Sequence, residues 1–237
     1  MNYYNRFDHD QHAKQFPRQE FWSQIRRTVN GSPVDEFQIN LILKAIQENL
    51  KIYPSDCLLD IGCGNGALSS LIATRPTQLV GIDNSKYLVS VAKEFFEDEP
   101  RLFFQHTEIE QFMYLQEADK ALKFTKAICY GAFSYLSSKN INDMFKYISM
   151  KFANISKLYI GNIPDRSRVD NFFVNSKPSD LNLDSHETSI GKWWNQLDLA
   201  VLADQHDWDI HFYQMPNQFY GSNYRFDALL CRKNNLF

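Results

Sequence analysis

The sequence predicts an α/β protein: a seven-stranded, mostly parallel, doubly wound sheet that ends in a C-terminal antiparallel hairpin and is preceded by an N-terminal helical cap. Three observations carry this. From Cys57 onward, short apolar runs alternate with segments of helical spacing, as repeated strand and helix units do. The first of those runs leads into a turn with three glycines at alternate positions, LLDIGCGNGALS over 58–69. The last two apolar runs are joined by a turn containing Pro216, Asn217 and Gly221, so they pair as a hairpin.

The N-terminal segment PRQEFWSQIRRTVNG reads as a helix. Pro17 suits a first helical turn, Phe21, Trp22, Ile25 and Val29 fall on one side, and Gly31 stops it. A second helix is expected over 34–50, with Asp35 and Glu36 favouring its N-terminal dipole and Leu41, Ile42, Ala45, Ile46 and Leu50 as its apolar stripe. These make a cap over 1–50. The core over 51–237 then reads as strand CLLDI, helix 67–73, strand QLVGID, helix 86–96, strand RLFFQ, helix 108–118, strand AICYG, helix 140–152 and strand KLYIG. The polar stretch 162–189 is too long for a plain connection and predicts a lid. Helix 192–205 and strands 208–214 and 224–233 complete one domain, 1–237.

At 237 residues, 44% hydrophobic and 22% charged, the composition is that of an ordinary globular domain. The net charge of -3 is spread without long runs of either sign, which argues against a nucleic-acid partner. Cys57, Cys63, Cys129 and Cys231 form no C-x-x-C pair, so neither disulfides nor a metal site is expected. The first dozen residues lack the apolar core of a signal peptide, and no run of about 18 apolar residues occurs. A cytoplasmic protein without membrane contact is expected, while the oligomeric state is unknown from sequence.

Glycines at 62, 64 and 66, between a strand and a helix, let the main chain approach a ligand closely. Asp83 ends the next strand, 21 residues after Gly62, at the spacing of a carboxylate that holds ribose hydroxyls. An adenosine-type cofactor follows. Gly62, Gly64 and Ala67 also fit the dinucleotide fingerprint, so an NAD(P)-dependent oxidoreductase is the competing enzyme. The Tyr147 and Lys151 pair, with Ser134, imitates the short-chain dehydrogenase triad, but Ser134 arrives one strand–helix unit too early for it. Asp60, two residues before the first glycine, also disfavours a pyrophosphate.

The run Leu59-Asp60-Ile61-Gly62-Cys63-Gly64-Asn65-Gly66 closely resembles the first motif of the class I S-adenosylmethionine-dependent methyltransferases, of the Rossmann-like, small-molecule type. The resemblance spans roughly 40–233 and implies S-adenosylmethionine as the cofactor. It implies that the glycine turn, including Cys63 and Asn65, passes beneath the methionine part, that Asp60 helps hold the amino group, and that Asp83 grips the ribose with Asn84 beside it. In that family an acid after the third strand meets the adenine. Here the segment offers His106, Thr107 and Glu108, with Thr107 the best positional match. The fourth strand ends near the methyl-transfer site, which assigns Tyr130 to the cofactor and to catalysis and Phe133 to the acceptor.

The absence of an N-P-P-Y motif at the fourth strand disfavours DNA adenine and glutamine acceptors. Aromatic residues gather in the N-terminal segment and the 162–189 stretch, where they would enclose a small acceptor. Tyr3 and Tyr4 are candidate substrate residues there, as are Asn162, Asp165 and Arg166 after the fifth strand. The run FWSQIRRTVNG is loosely similar to segments of bacterial methyltransferases of small-molecule and surface-sugar pathways. A small hydroxylated metabolite is therefore the expected acceptor, with a non-catalytic binding protein as the reading outside enzymes. An oxygen acceptor benefits from a base. Among the six histidines, His186 is the candidate, while His9 and His12 are expected in a mobile terminus.

Overall fold

The computed structural model of the chain describes residues 7–75, 78–174, 178 and 181–233. Helix α1 (His9–Ala13) and the single turn α2 (Phe21–Gln24) are followed by a small hairpin, β1 (Thr28–Val29) with β2 (Ser32–Pro33). The helix expected across the segment that starts at Pro17 is thus reduced to one turn. The reason lies in Asn30 and Gly31, which both take positive φ, 50° and 82°, while Val29 pairs with Ser32 across them. Asn-Gly is the strongest short-range hairpin signal, because both central residues of that turn need positive φ. Arg26, at φ 59°, ends the α2 turn before the hairpin begins.

Helix α3 (Glu36–Leu50) is capped by the Asp35 carboxylate, which accepts from Gln38 N–H at 3.0 Å, and it buries Ile39, Ile42, Ile46 and Leu50. The main sheet contains β3 (Cys57–Ile61), β4 (Gln78–Asp83), β5 (Leu102–His106), β6 (Lys126–Tyr130), β7 (Lys157–Pro164), β8 (Trp208–Tyr213) and β9 (Arg225–Arg232). Its order is β5-β4-β3-β6-β7-β9-β8, with β9 antiparallel to both neighbours and the other pairs parallel, which bears out the expected seven mostly parallel strands and terminal hairpin. All five residues of β3 are buried, because helices cover both faces. On one face α3, α4 (Ala67–Ile72) and α5 (Lys86–Phe96) enclose Leu58, Leu68, Val89 and Phe104. On the other, α6 (Ile109–Leu115), α8 (Ser138–Met150) and α10 (Gln196–Asp204) enclose Leu59, Phe112, Phe145 and Leu199. The helix expected over 108–118 is α6, which ends at Leu115, and a separate turn, α7 (Ala118–Ala121), follows before β6.

Two departures shape the sheet edge that carries the cleft. Strand β7 runs past Gly161 to Pro164, with a register shift against β9 between Ile160 and Ile163, and Asn162 sits there at φ 63°. Such bulges re-aim side chains. The helix expected from Lys192 starts only at Gln196, because Trp194 lies extended beside the end of β7. Its N–H donates to Pro164 O at 2.9 Å and its carbonyl accepts from Arg166 N–H at 3.0 Å, and both tryptophan rings are buried. The 162–189 stretch continues from β7 into a 3-10 turn, Arg166–Arg168, and α9 (Val169–Phe172). Phe172 packs there with Trp193 and Tyr224 in a satellite core. Among the described residues no helix is long and apolar enough to cross a membrane.

Candidate functional site

Strand order reverses between β3 and β6, and a cleft of about 760 Å³ opens at the carboxyl ends of β3, β4, β6 and β7. Open α/β sheets bind ligands at this switch point. The floor is the glycine turn. Gly62 and Gly66 take φ of 76° and 75°, and an added Cβ would lie 2.2 Å from Ala132 Cβ or 2.6 Å from the Phe104 ring. Packing therefore requires both. A Cβ at Gly64, at φ 57°, would meet Ile25 of the cap at 3.1 Å and Leu88 at 4.0 Å, and its backbone lines the cleft with that of Gly62.

Asp83 closes β4 with both carboxylate oxygens fixed: Oδ2 accepts from Gly64 N–H and Oδ1 from Ser85 N–H, each at 2.8 Å. Each oxygen retains acceptor capacity towards the cleft. Burial raises its pKa, and the two N–H groups oppose that. Asp60 lies below the turn, its Oδ2 accepting from the Ser69 hydroxyl at 2.6 Å. Burial pushes its pKa up to about 6, with Asp83 adding to the rise while Ser69 and Arg27 oppose it. At the far end Asn84, Thr107 and Glu108 line the cleft; Thr107 N–H donates to Asp83 O at 3.0 Å.

The N-terminal cap roofs this floor. The Asn65 amide donates to Phe21 O at 2.8 Å and to Gln24 Oε1 at 3.0 Å, and the Ser85 hydroxyl donates to Asp10. Cap and insertion meet over the cleft: Phe7 N–H donates to Glu187 O at 2.8 Å, Arg26 donates to Ser189 O, and the Tyr135 hydroxyl donates to the same carbonyl at 2.9 Å. His9, expected in a mobile terminus, belongs instead to α1, with its ring edge-on to Phe7 and Tyr135 at 4.8 and 4.7 Å. Burial, helped by Arg26, lowers its pKa to about 4, so its imidazole is neutral at neutral pH. His12 is likewise ordered in α1, with Nε2 3.1 Å from Ser23 O.

Arg27 enters from the cap. It is buried, lies 4.7 Å over the Tyr130 ring, and its Nε has no hydrogen-bond partner among the described residues. The Tyr130 hydroxyl is buried and equally unpartnered, and burial raises its pKa. Asn162 donates its N–H to Asp227 Oδ1 and accepts at its carbonyl from Arg225 Nη1, both at 2.6 Å. His186 and Glu187 complete the wall.

The cleft thus gathers Asp60, Gly62, Cys63, Gly64, Asp83, Asn84, Thr107, Glu108, Tyr130, Asn162 and His186 from the sequence candidates. Others lie elsewhere. Asn65 ties down the cap, Gly66 packs on Phe104, and His106 is exposed with its ring on Asn84 O. Phe133 is buried against Trp194, Asp165 accepts from Ser167 and pairs with Arg168, and Arg166 pairs with Asp184. Tyr3 and Tyr4 fall outside the described residues. Sequence reasoning missed Arg27, His9, Tyr135 and Arg225. The hairpin signal Asn30-Gly31 is the one feature that could have turned Arg27 inward.

Residues 58–150 match the family described as a methyltransferase domain. Over 68 residues the chain is 34% identical to the ribosomal RNA small subunit methyltransferase A of Geobacter metallireducens, covering 29% of this chain and 25% of that protein. The chain spans about a quarter of the length of the first curated relatives it matches, 25% and 27%. Magnesium protoporphyrin IX methyltransferase from Synechocystis PCC 6803, with bound SAH, superposes with a TM-score of 0.62 at 16% identity, over 94% of this chain and 96% of that one. An S-adenosylmethionine-dependent methyltransferase from Clostridium acetobutylicum superposes with a TM-score of 0.62 at 14% identity, over 84% and 93%. Residues 58–150 thus match a methyltransferase-domain family, and the chain shares the fold of these solved S-adenosylmethionine-dependent methyltransferases.

Proposed function

We propose that the protein is an S-adenosylmethionine-dependent methyltransferase whose acceptor is a small hydroxylated metabolite, of the sugar or surface-polysaccharide-precursor kind. The observation that carries the cofactor half is Asp83, whose two oxygens are pinned by Gly64 and Ser85 N–H groups beside the turn. A carboxylate so oriented suits a vicinal pair of ribose hydroxyls. The remaining cleft residues fit the rest of the cofactor: Asp60 its ammonium, the Gly64 backbone its methionine chain, Arg27 its carboxylate, and Asn84, Thr107 and Glu108 its adenine end. A dinucleotide pyrophosphate would face Asp60 and Asp83, two like charges.

When bound, this cofactor supplies a methyl group already activated on a sulfonium. The chain's part is then to orient an acceptor oxygen, exclude water and receive a proton. His186 is the proposed proton acceptor, and His9, neutral at neutral pH, is a second imidazole in the same cleft. The Tyr130 hydroxyl and the Asn162 amide orient the acceptor. Contacts of Phe7, Arg26 and Tyr135 with 187–189 support the reading of cap and insertion as a lid. Residues outside the lining, Phe133, Asp165 and Arg166, serve as supports of that wall.

The test is formation of S-adenosylhomocysteine when the protein and S-adenosylmethionine meet a panel of hydroxylated sugars and sugar phosphates. Product that depends on one acceptor and drops in His186→Ala is the expected result. Binding without product for any acceptor would leave a cofactor-binding protein, and NADH binding in place of S-adenosylmethionine would restore the oxidoreductase.

A further inference from the structure

S-adenosylmethionine carries one anionic group, its carboxylate, yet three guanidinium groups line the cleft, and with Arg26 engaged by Ser189 O and the Phe7 ring two remain, Arg27 and Arg225. Among the described residues neither forms a salt bridge, and the Nε of each is buried without a hydrogen-bond partner. Arg27 stands on the side of the glycine turn, where its charge acts on Asp60. Arg225 enters from the opposite wall, at the start of β9. Its Nη1 donates to Asn162 O at 2.6 Å, its stem packs on Gly221, and its guanidinium lies 4.9 Å over the Tyr224 ring. Phe172 packs against that ring at 4.8 Å, tilted by 53°, so Arg225 sits at the end of an aromatic wall.

The charged and titratable groups facing Arg225 leave its Nε without a hydrogen-bond acceptor. Asp227, two residues further along β9, interacts electrostatically with Arg225, but its hydrogen bonds go to the Tyr159 hydroxyl and Asn162 N–H, both at 2.6 Å. Tyr135, Tyr220 and Tyr224 are the remaining titratable neighbours, and a neutral phenol supplies no counter-charge. A guanidinium N–H withdrawn from water without an acceptor is costly, and the planar fork matches carboxylate and phosphate oxygens.

We propose that Arg225 is a specificity-determining residue that holds an oxyanion of the acceptor, so that the molecule methylated is a small acid. The assignment rests on the methyltransferase reading, because the single carboxylate of that cofactor leaves Arg225 over. Tyr220, Tyr224 and Phe172 would flank the body of the acid, and Asn162 would sit between its anionic group and Tyr130. This explains why the bulge in β7 is worth its irregular register: it brings the Asn162 carbonyl to Arg225 and its N–H to Asp227.

The experiment titrates protein saturated with S-adenosylhomocysteine with benzoate, phenyl phosphate and the neutral benzyl alcohol. At least one acid should bind and benzyl alcohol should not, and the two acids distinguish a carboxylate from a phosphate site. Arg225→Gln should weaken acid binding about tenfold or more while leaving S-adenosylhomocysteine affinity within about threefold, and Arg27→Gln should do the reverse. Equal acid binding by Arg225→Gln, or no preference for acid over alcohol, overturns the proposal. Failure of S-adenosylhomocysteine to bind the wild type is a separate outcome: it removes the cofactor reading, and with it the assignment of the anion to a methyl acceptor. Should Arg225→Gln melt far below the wild type, phenylglyoxal labelling of the unaltered protein decides. Phenyl phosphate or benzoate must then protect Arg225 from modification, as read by mass spectrometry, and unprotected labelling contradicts the proposal.

Discussion

The two halves of the cleft are built in opposite ways. The half proposed for the cofactor is made of backbone from neighbouring elements: the turn from Gly62 to Gly66 and the end of β4, joined by the Gly64 N–H bond to Asp83. The half proposed for the acceptor is made of side chains from distant segments, with Phe7 and His9 before β1, Tyr130 at the end of β6, His186 in the 162–189 stretch and Arg225 on β9. A backbone floor tolerates little change, since its shape depends on φ values only glycine adopts easily. A roof of side chains can be altered piece by piece. One fold can therefore keep a cofactor while its acceptor changes, which is why the acceptor must be argued from this chain's own side chains.

The largest effect should come from breaking the floor. Gly62→Ala puts a Cβ 2.2 Å from Ala132 Cβ at a φ of 76°, two penalties at one position. A destabilisation of about 3 kcal/mol or more is expected, read as a lower denaturant midpoint together with loss of S-adenosylhomocysteine binding. A wild-type midpoint in this variant would mean that the turn has another path.

Breaking the roof should separate chemistry from binding. Deletion of 1–15 removes α1, and with it His9 and the Phe7 bond to Glu187. S-adenosylhomocysteine affinity should change only a few fold, while turnover of the true acceptor, or slow hydrolysis of the cofactor, falls about a hundredfold. Full turnover with an unchanged melting temperature would show that the cap is not a lid.

A smaller effect sharpens the contrast through pH. Asp60 titrates in the folded protein at about 6, above its ordinary value because of burial, so it is ionised at pH 8 and protonated at pH 5. An ammonium ligand binds the ionised form, so affinity should fall about tenfold as pH drops through 6, and Asp60→Asn should flatten that profile. The same shift acts on stability with its own sign. A carboxyl whose folded pKa is raised stabilises the fold most below its unfolded value, and that contribution is lost as pH rises through about 6. Ligand-free protein and ligand affinity should therefore respond to pH in opposite directions.

The same contrast governs what the sequence disclosed. The seven mostly parallel strands, the terminal hairpin and the floor follow from contiguous patterns: apolar runs of strand length, the spaced glycines, and Asp83 at the end of its run. The errors lie where local patterns compete. FWSQIRRTVNG carries both a helical stripe and a hairpin turn, and the turn wins because Asn30 and Gly31 adopt positive φ. Trp193 and Trp194 look helical in sequence, but the chain runs extended there beside the end of β7. The roof was less legible because its contacts cross long separations, such as Arg26 with Ser189 and Arg225 with Asn162. Nothing local to His9 announces that a ring from Tyr135 will cover it.

The central claim is that the floor binds S-adenosylmethionine through Asp83, and titration calorimetry of S-adenosylhomocysteine against wild type and Asp83→Ala tests it most directly. Each charge-assisted hydrogen bond to the ribose is worth roughly 1.5 to 3 kcal/mol, so the variant should bind about tenfold to several hundredfold more weakly. The wild type should show no comparable affinity for NADH. Equal affinity in a folded Asp83→Ala variant, or tight NADH binding by the wild type, would contradict the account.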